Sequence, residues 1–143
     1  MNKELMWLPL LAMVLLTAGV WVWTYITRVR EIRRRRIRPQ DLATRAAGAA
    51  LLKDVAGPSD NFMNLFEMPV LFYLFVILTY VTDTADIYYL VLASIYVALR
   101  CAHSFIHVTY NRVMHRFKVY FVSSLLLWFI WVRLGWQLIE RAL

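Results

Sequence analysis

From residue 5 to residue 26 the chain carries no charged side chain, and a few residues later it reads REIRRRRIR, residues 30–38. A run of that length crosses ~30 Å of hydrocarbon as a helix, because in lipid the backbone must satisfy its own hydrogen bonds. Trp21, Trp23 and Tyr25 mark its far end as an interfacial belt. The run exceeds the apolar core of a secretion signal and no A-x-A-like cleavage site follows it, so it reads as a retained span. Three further apolar runs, residues 62–81, 87–108 and 119–139, have similar length. With 62% hydrophobic residues, the chain is expected to be all-α: a single domain over 1–143, an integral membrane four-helix bundle of up-down topology. One cysteine, Cys101, excludes an intramolecular disulfide framework and cysteine-rich metal sites.

The net charge of +7 is distributed in blocks. Arg28, Arg30, Arg33, Arg34, Arg35, Arg36, Arg38, Arg45 and Lys53 lie between spans one and two, and Arg112, Arg116 and Lys118 between spans three and four. Basic loops stay cytoplasmic, which places both termini and the acidic turn TDTADIYY (82–89) on the extracytoplasmic side. The arginine block therefore reads as topogenic, with membrane lipid as its neighbour and no nucleic-acid partner. A multi-pass protein of a bacterial inner membrane suits such a chain. Within the connection 28–60, QDLATRAAGAALLKD is either a cytoplasmic extension of a helix or a short interfacial one. Gly57-Pro58-Ser59-Asp60 reads as a break followed by a cap for span two.

Two spans carry polar residues at helical spacing. Asp60, Asn64 and Glu67 fall on one face of span two, and Tyr96, Arg100, His103, His107 and then Tyr110 or Asn111 on one face of span three. Ionisable groups at this depth are costly unless paired or solvated, so both stripes should face the bundle interior. Glu67 precedes Asp83 by 16 residues and Arg100 follows Asp86 by 14, roughly 24 Å and 21 Å from the same membrane face. Equal depth on neighbouring antiparallel helices predicts a Glu67–Arg100 ion pair. Pro69 is expected to bend span two beside it by freeing the carbonyl of Leu65. Cys101 lies on another face and is expected to be packed, while Arg133, near the outer end of span four, is expected to snorkel to water.

Three readings of this cluster stay open on residue types alone. It can be a structural ion pair with histidines bonded across helices. His103 and His107 at i and i+4 can ligate zinc or haem iron, with Glu67 or His115 completing the set. Or the cluster can line a pocket for an anionic or polar ligand.

The four-span plan, N-x-x-E at Asn64 and Glu67 followed by Pro69, R-x-x-H at Arg100 and His103, and Arg116 at the basic entry to span four resemble the MAPEG family, membrane-associated proteins in eicosanoid and glutathione metabolism. The resemblance covers nearly the whole chain. It implies a homotrimer with glutathione bound between subunits near the cytoplasmic face. It implies contacts from Asn64, Glu67, Arg100, His103, His107 and Tyr110, with Arg116 as the catalytic cation that stabilises the glutathione thiolate. No metal is implied. The resulting activity is a glutathione-dependent transferase or peroxidase acting on lipophilic electrophiles that arrive from the bilayer; the alternative is a non-catalytic trimer that binds a lipid or an anionic small molecule in the same crevice. The chain departs from the pattern at Asp60, where glutathione-using relatives carry arginine, and at His107, where some carry tyrosine. Asp60 repels a carboxylate, so glutathione as the ligand calls for Arg112, Lys53 or Arg45 as a substitute.

Overall fold

The structure is a computed structural model describing residues 2–143, all of whose regular elements are helical. In chain order these are α1 (Trp7–Arg35), α2 (Arg45–Leu51), α3 (Ala56–Asn64), α4 (Met68–Val81), α5 (Ile87–Val108) and α6 (Val113–Ala142), with 3-10 turns at Lys3–Met6, Pro39–Leu42 and Lys53–Val55. Four segments are long and apolar enough to cross a membrane: Lys3–Arg35, Lys53–Val81, Ile87–Val108 and Val113–Ala142. The chain is thus a multi-pass integral membrane protein. Span three has the bounds read from sequence, whereas the first and fourth helices run well beyond the apolar stretches at residues 5–26 and 119–139. Arginine and lysine are good helix formers, so leaving the hydrocarbon does not end a helix.

Backbone geometry ends the helices instead. Arg36, Asp83 and Asn111 take positive φ of 53°, 54° and 44° just beyond α1, α4 and α5. The next residue after the first two bonds back across the helix end: Ile37 N–H to Ile32 O (3.0 Å) and Thr84 N–H to Thr79 O (3.0 Å). These bonds satisfy carbonyls that a helix terminus otherwise leaves free.

Span two departs furthest from expectation. It is two helices, α3 and α4, interrupted at residues 65–67, with Glu67 at φ −95°, ψ −106°. Pro69 lies in the first turn of α4, where its missing N–H costs nothing. The expected bend is therefore a full break, and it separates Glu67, which lies in the interruption, from Asp60 and Asn64 on α3. The expected cap at Ser59 or Asp60 is also overturned, because Gly57 through Asp60 lie inside α3 and no side chain caps it. Pro58 occupies the first turn, where proline is compatible with a helix, so it marks a beginning that lies further upstream. The alanine-rich connection does form a short helix, α2, capped by Thr44 Oγ1 accepting from Ala47 N–H.

The core between the helices is aromatic. Phe72 stacks on Tyr96 at 4.8 Å, Phe75 meets Tyr89 edge-on at 5.2 Å, and Met13, Leu127, Ile130 and Leu134 fill the space around them. Large apolar side chains such as Leu15 and Val132 point outward, as lipid contact requires. Cys101 also faces outward and is exposed, contrary to the packed position expected of it.

Both chain ends join the α4–α5 turn. Lys3 Nζ lies 3.0 Å from an Asp83 carboxylate oxygen, and Arg141 Nη1 donates to Thr82 O at 2.8 Å. Beside them Asp86 caps α5, accepting from Tyr89 N–H at 2.8 Å, and pairs with Arg133. Arg133 reaches toward this end of the bundle and stays partly exposed, but it is held there by Asp86, with its guanidinium 4.1 Å from the Tyr89 ring centre. Burial pushes the Asp86 carboxyl up, but the Arg133 hydrogen bond, the Tyr89 N–H and the Arg133 charge together hold it below the ordinary carboxylate value.

A carboxyl depressed in the folded state stabilises the fold above its unfolded pKa of about 3.9, and that contribution disappears as pH falls through the lower folded value. Asp86→Ala, which loses cap and pair, is expected to cost about 1–2 kcal/mol at neutral pH. Asp86→Asn keeps a capping oxygen and should cost less. Thermal unfolding in detergent between pH 7 and pH 3 should show both deficits shrinking below pH 4; a deficit independent of pH would remove the ion pair from the account.

Candidate functional site

At the end opposite the chain termini, the broken second span meets the polar stripe of α5. Gly57 permits the approach, since a Cβ there would lie 3.3 Å from the carbonyl oxygen of His107. One turn later Asn61 is fully buried and accepts through Oδ1 from Ser104 Oγ (3.2 Å). Where α3 stops, the carbonyl of Asn64 accepts from Arg100 Nη2 at 3.0 Å. Terminal carbonyls lack helical donors and carry partial negative charge, so the helix break itself supplies Arg100 with a polar partner.

The stripe Tyr96, Arg100, His103 and His107 is buried as expected, with Arg100 at 0% exposure. The partner expected for Arg100 is not there. Glu67 is exposed and forms no ion pair among the described residues. Equal depth does not become contact because the break turns the Glu67 backbone out of the helical face that Asn64 presents to α5. Arg100 instead lies 5.5 Å from the Tyr120 ring centre, and its Nε and Nη1 have no hydrogen-bond partner among the described residues. A buried guanidinium with two free donors is an incomplete polar site.

His107 and Arg116 complete the cluster. Arg116 Nη1 lies 3.1 Å from His107 Nε2 and donates to Asn111 Oδ1 at 2.8 Å. Arginine only donates, so Nε2 accepts and the imidazole is neutral with its proton on Nδ1. Asn64 Nδ2 approaches the same nitrogen at 3.4 Å. The left-handed turn at Asn111 aims its side chain back at α6, and both Arg116 bonds use Nη1, which leaves Nε and Nη2 for a ligand.

A cavity of about 190 Å³ opens here, lined by Asn64, His103, Arg116, Phe117 and Tyr120. Three of the residues singled out from sequence therefore share one wall, with Arg100 and His107 directly behind it. Glu67 and Tyr110 do not line this cavity; the Tyr110 hydroxyl is 3.4 Å from His115 Nδ1 on the exposed turn. The rings of His103 and His107 are edge-to-face at 5.6 Å, and among the described residues no group of three His, Cys, Asp or Glu side chains can hold a metal ion. The metal reading thus finds no third ligand. Tyr120 was missed from sequence, although its position one turn after Arg116 on α6 was signal enough.

A model of the MAPEG family matches residues 6–136. The chain belongs to the MAPEG family. No curated protein and no solved structure matches the chain. The four apolar spans and the helical architecture are those of a MAPEG four-helix bundle, and Asn64, His103 and Arg116 of this MAPEG chain meet at the cavity.

With no carboxylate in contact with Arg100 among the described residues, Arg100→Met should cost about 1–3 kcal/mol of ligand-free stability, because it leaves the Asn64 carbonyl unsatisfied. Glu67→Gln should change stability by less than about 0.5 kcal/mol, as at other exposed positions. In detergent-based thermal unfolding the two effects should add. A coupling above about 1 kcal/mol would show that they are partners after all.

Proposed function

We propose that this MAPEG protein is a membrane-embedded glutathione-dependent transferase or peroxidase acting on lipophilic electrophiles, with Arg116 as the catalytic cation. The carrying observation is the convergence of Arg116, His103 and Asn64 on one cavity backed by the unpaired charge of Arg100. A cavity of 190 Å³ is smaller than the ~300–1,000 Å³ typical of small-molecule sites, so the protomer encloses part of a tripeptide. The remainder calls for a neighbouring subunit, in keeping with a homotrimer. By the distribution of arginine, this end faces the cytoplasm of a bacterial inner membrane, and both termini face the other side.

The residues fit the thiol end of glutathione. No acidic side chain is among those lining the cavity, and Asp60, the departure that argues against glutathione, lines a different one. Bound glutathione supplies a thiolate nucleophile to an electrophile or peroxide delivered from the bilayer. His107 and Asn111 fix Arg116 so that its free N–H groups face the cavity, where a fixed cation favours thiolate over thiol. Arg100 adds positive potential through the wall in a low-dielectric setting. Asn64 has an amide on the cavity surface to orient the peptide.

A second reading, a non-catalytic binder of a lipid or anionic small molecule, draws on the same contacts, because Arg116 Nη1 is already engaged by His107 and Asn111. Detergent-purified protein should conjugate glutathione to a chromophoric aryl halide. Arg116→Ala should lower kcat/KM about 100-fold, the scale for losing one preorganised charge-stabilising group, and abolish the ultraviolet absorbance of bound thiolate while leaving the melting temperature unchanged. Absent turnover together with no calorimetric binding of millimolar glutathione would favour the non-catalytic binder.

A further inference from the structure

A larger cavity, about 670 Å³, lies between the second half of α1, the α2 segment and α3, and it shares no lining residue with the Arg116 cavity. Its volume falls within the range of sites that enclose organic ligands. Trp21, Tyr25 and Phe62 form an apolar wall, and Arg28, Arg45 and Asp60 bring charge to the same space. Trp21 and Tyr25 end the apolar run of α1 and Arg28 begins its basic one, so the cavity straddles the membrane–water boundary.

The three charges do not neutralise one another. None of the four ion pairs among the described residues involves Arg28, Arg45 or Asp60. Arg28 Nη1 donates to Ser59 Oγ at 3.0 Å, so a neutral hydroxyl holds this guanidinium against α3. The same guanidinium packs against α2, with Nη2 3.8 Å from where a Cβ at Gly48 would stand, an ordinary van der Waals distance. Arg45 reaches across from α2, and among the described residues its side chain's one hydrogen-bond partner is the sulfur of Met63, at 3.8 Å, a weak acceptor. The cavity thus presents two separated cations, one separated anion and an apolar wall.

The geometry points to a phospholipid with a primary-amine headgroup as the occupant, its phosphate bound by Arg28 and Arg45, its ammonium by Asp60, and an acyl chain along Trp21, Tyr25 and Phe62. Arginine binds phosphate oxygens through paired N–H donors, and an ammonium gives the carboxylate three donors. A purely anionic headgroup leaves Asp60 repelled, and a quaternary choline offers it no N–H. Asp60, unfavourable for a carboxylate ligand, becomes the residue that selects the amine. The inference is independent of what the Arg116 cavity binds.

The test uses the full-length protein in detergent and native mass spectrometry with ethanolamine, choline and glycerol phospholipids of identical acyl chains. The ethanolamine lipid should be retained about tenfold more strongly than either other lipid. Asp60→Asn should erase that preference while phosphate-dependent binding persists, and Arg45→Gln, an exposed position outside the core, should weaken all three lipids about tenfold. An unchanged melting temperature checks that each variant folds. Equal retention of the three lipids by the unmodified protein, preference for the glycerol lipid, or an undiminished preference in Asp60→Asn would overturn the proposal. So would displacement of the lipid by millimolar glutathione, which would assign the cavity to the tripeptide.

Discussion

The bond between the buried Arg100 guanidinium and the last carbonyl of α3 is the contact around which the basic end of the bundle is organised. A helix broken inside a membrane exposes carbonyls that hydrocarbon cannot satisfy, and a buried cation there needs negative charge that hydrocarbon cannot supply. Each defect relieves the other. The same break frees Asn64 to reach His107, and His107 in turn orients Arg116, so one interruption in span two sets the positions of residues on three helices.

The two ends of the molecule solve the problem of intramembrane polarity differently. Near the chain termini, Asp86 and Arg133 form a closed pair, further enclosed by the Tyr89 ring. At the other end Arg100 and the two histidines retain unpartnered buried nitrogens among the described residues. Between them the stacked Phe72 and Tyr96 and the edge-on Phe75 and Tyr89 form an apolar layer. A satisfied polar layer holds helices together, whereas an incompletely satisfied one is the better place for a ligand.

Much of this was legible in the sequence. Apolar length located all four spans, and the 3.6-residue period identified the buried stripe of α5, because both follow from the demands of hydrocarbon on any helix. The Glu67–Arg100 pair was not legible, because depth along the membrane normal is one coordinate and rotation about the helix axis is another; the backbone at Glu67 decided the second. The break expected at Gly57-Pro58 was misplaced because proline interrupts a helix interior but fits its first turn. The Asp86–Arg133 pair could have been found by the same depth comparison, since both lie near one membrane face. The contact of His107 with Arg116 depends on the tight turn at Asn111, for which the sequence offers only an asparagine before the next helix.

α1 runs unbroken for 29 residues, about 43 Å at 1.5 Å per residue, against a hydrocarbon layer of about 30 Å. A rod of that length cannot shorten, so a bilayer of different thickness must tilt it or shift the boundary between its tryptophans and its arginines. Because α1 packs against α3, whose last carbonyl is bonded to Arg100, membrane thickness becomes a mechanical input to the polar cluster, and the lipid composition around the protein is a physical variable of its site.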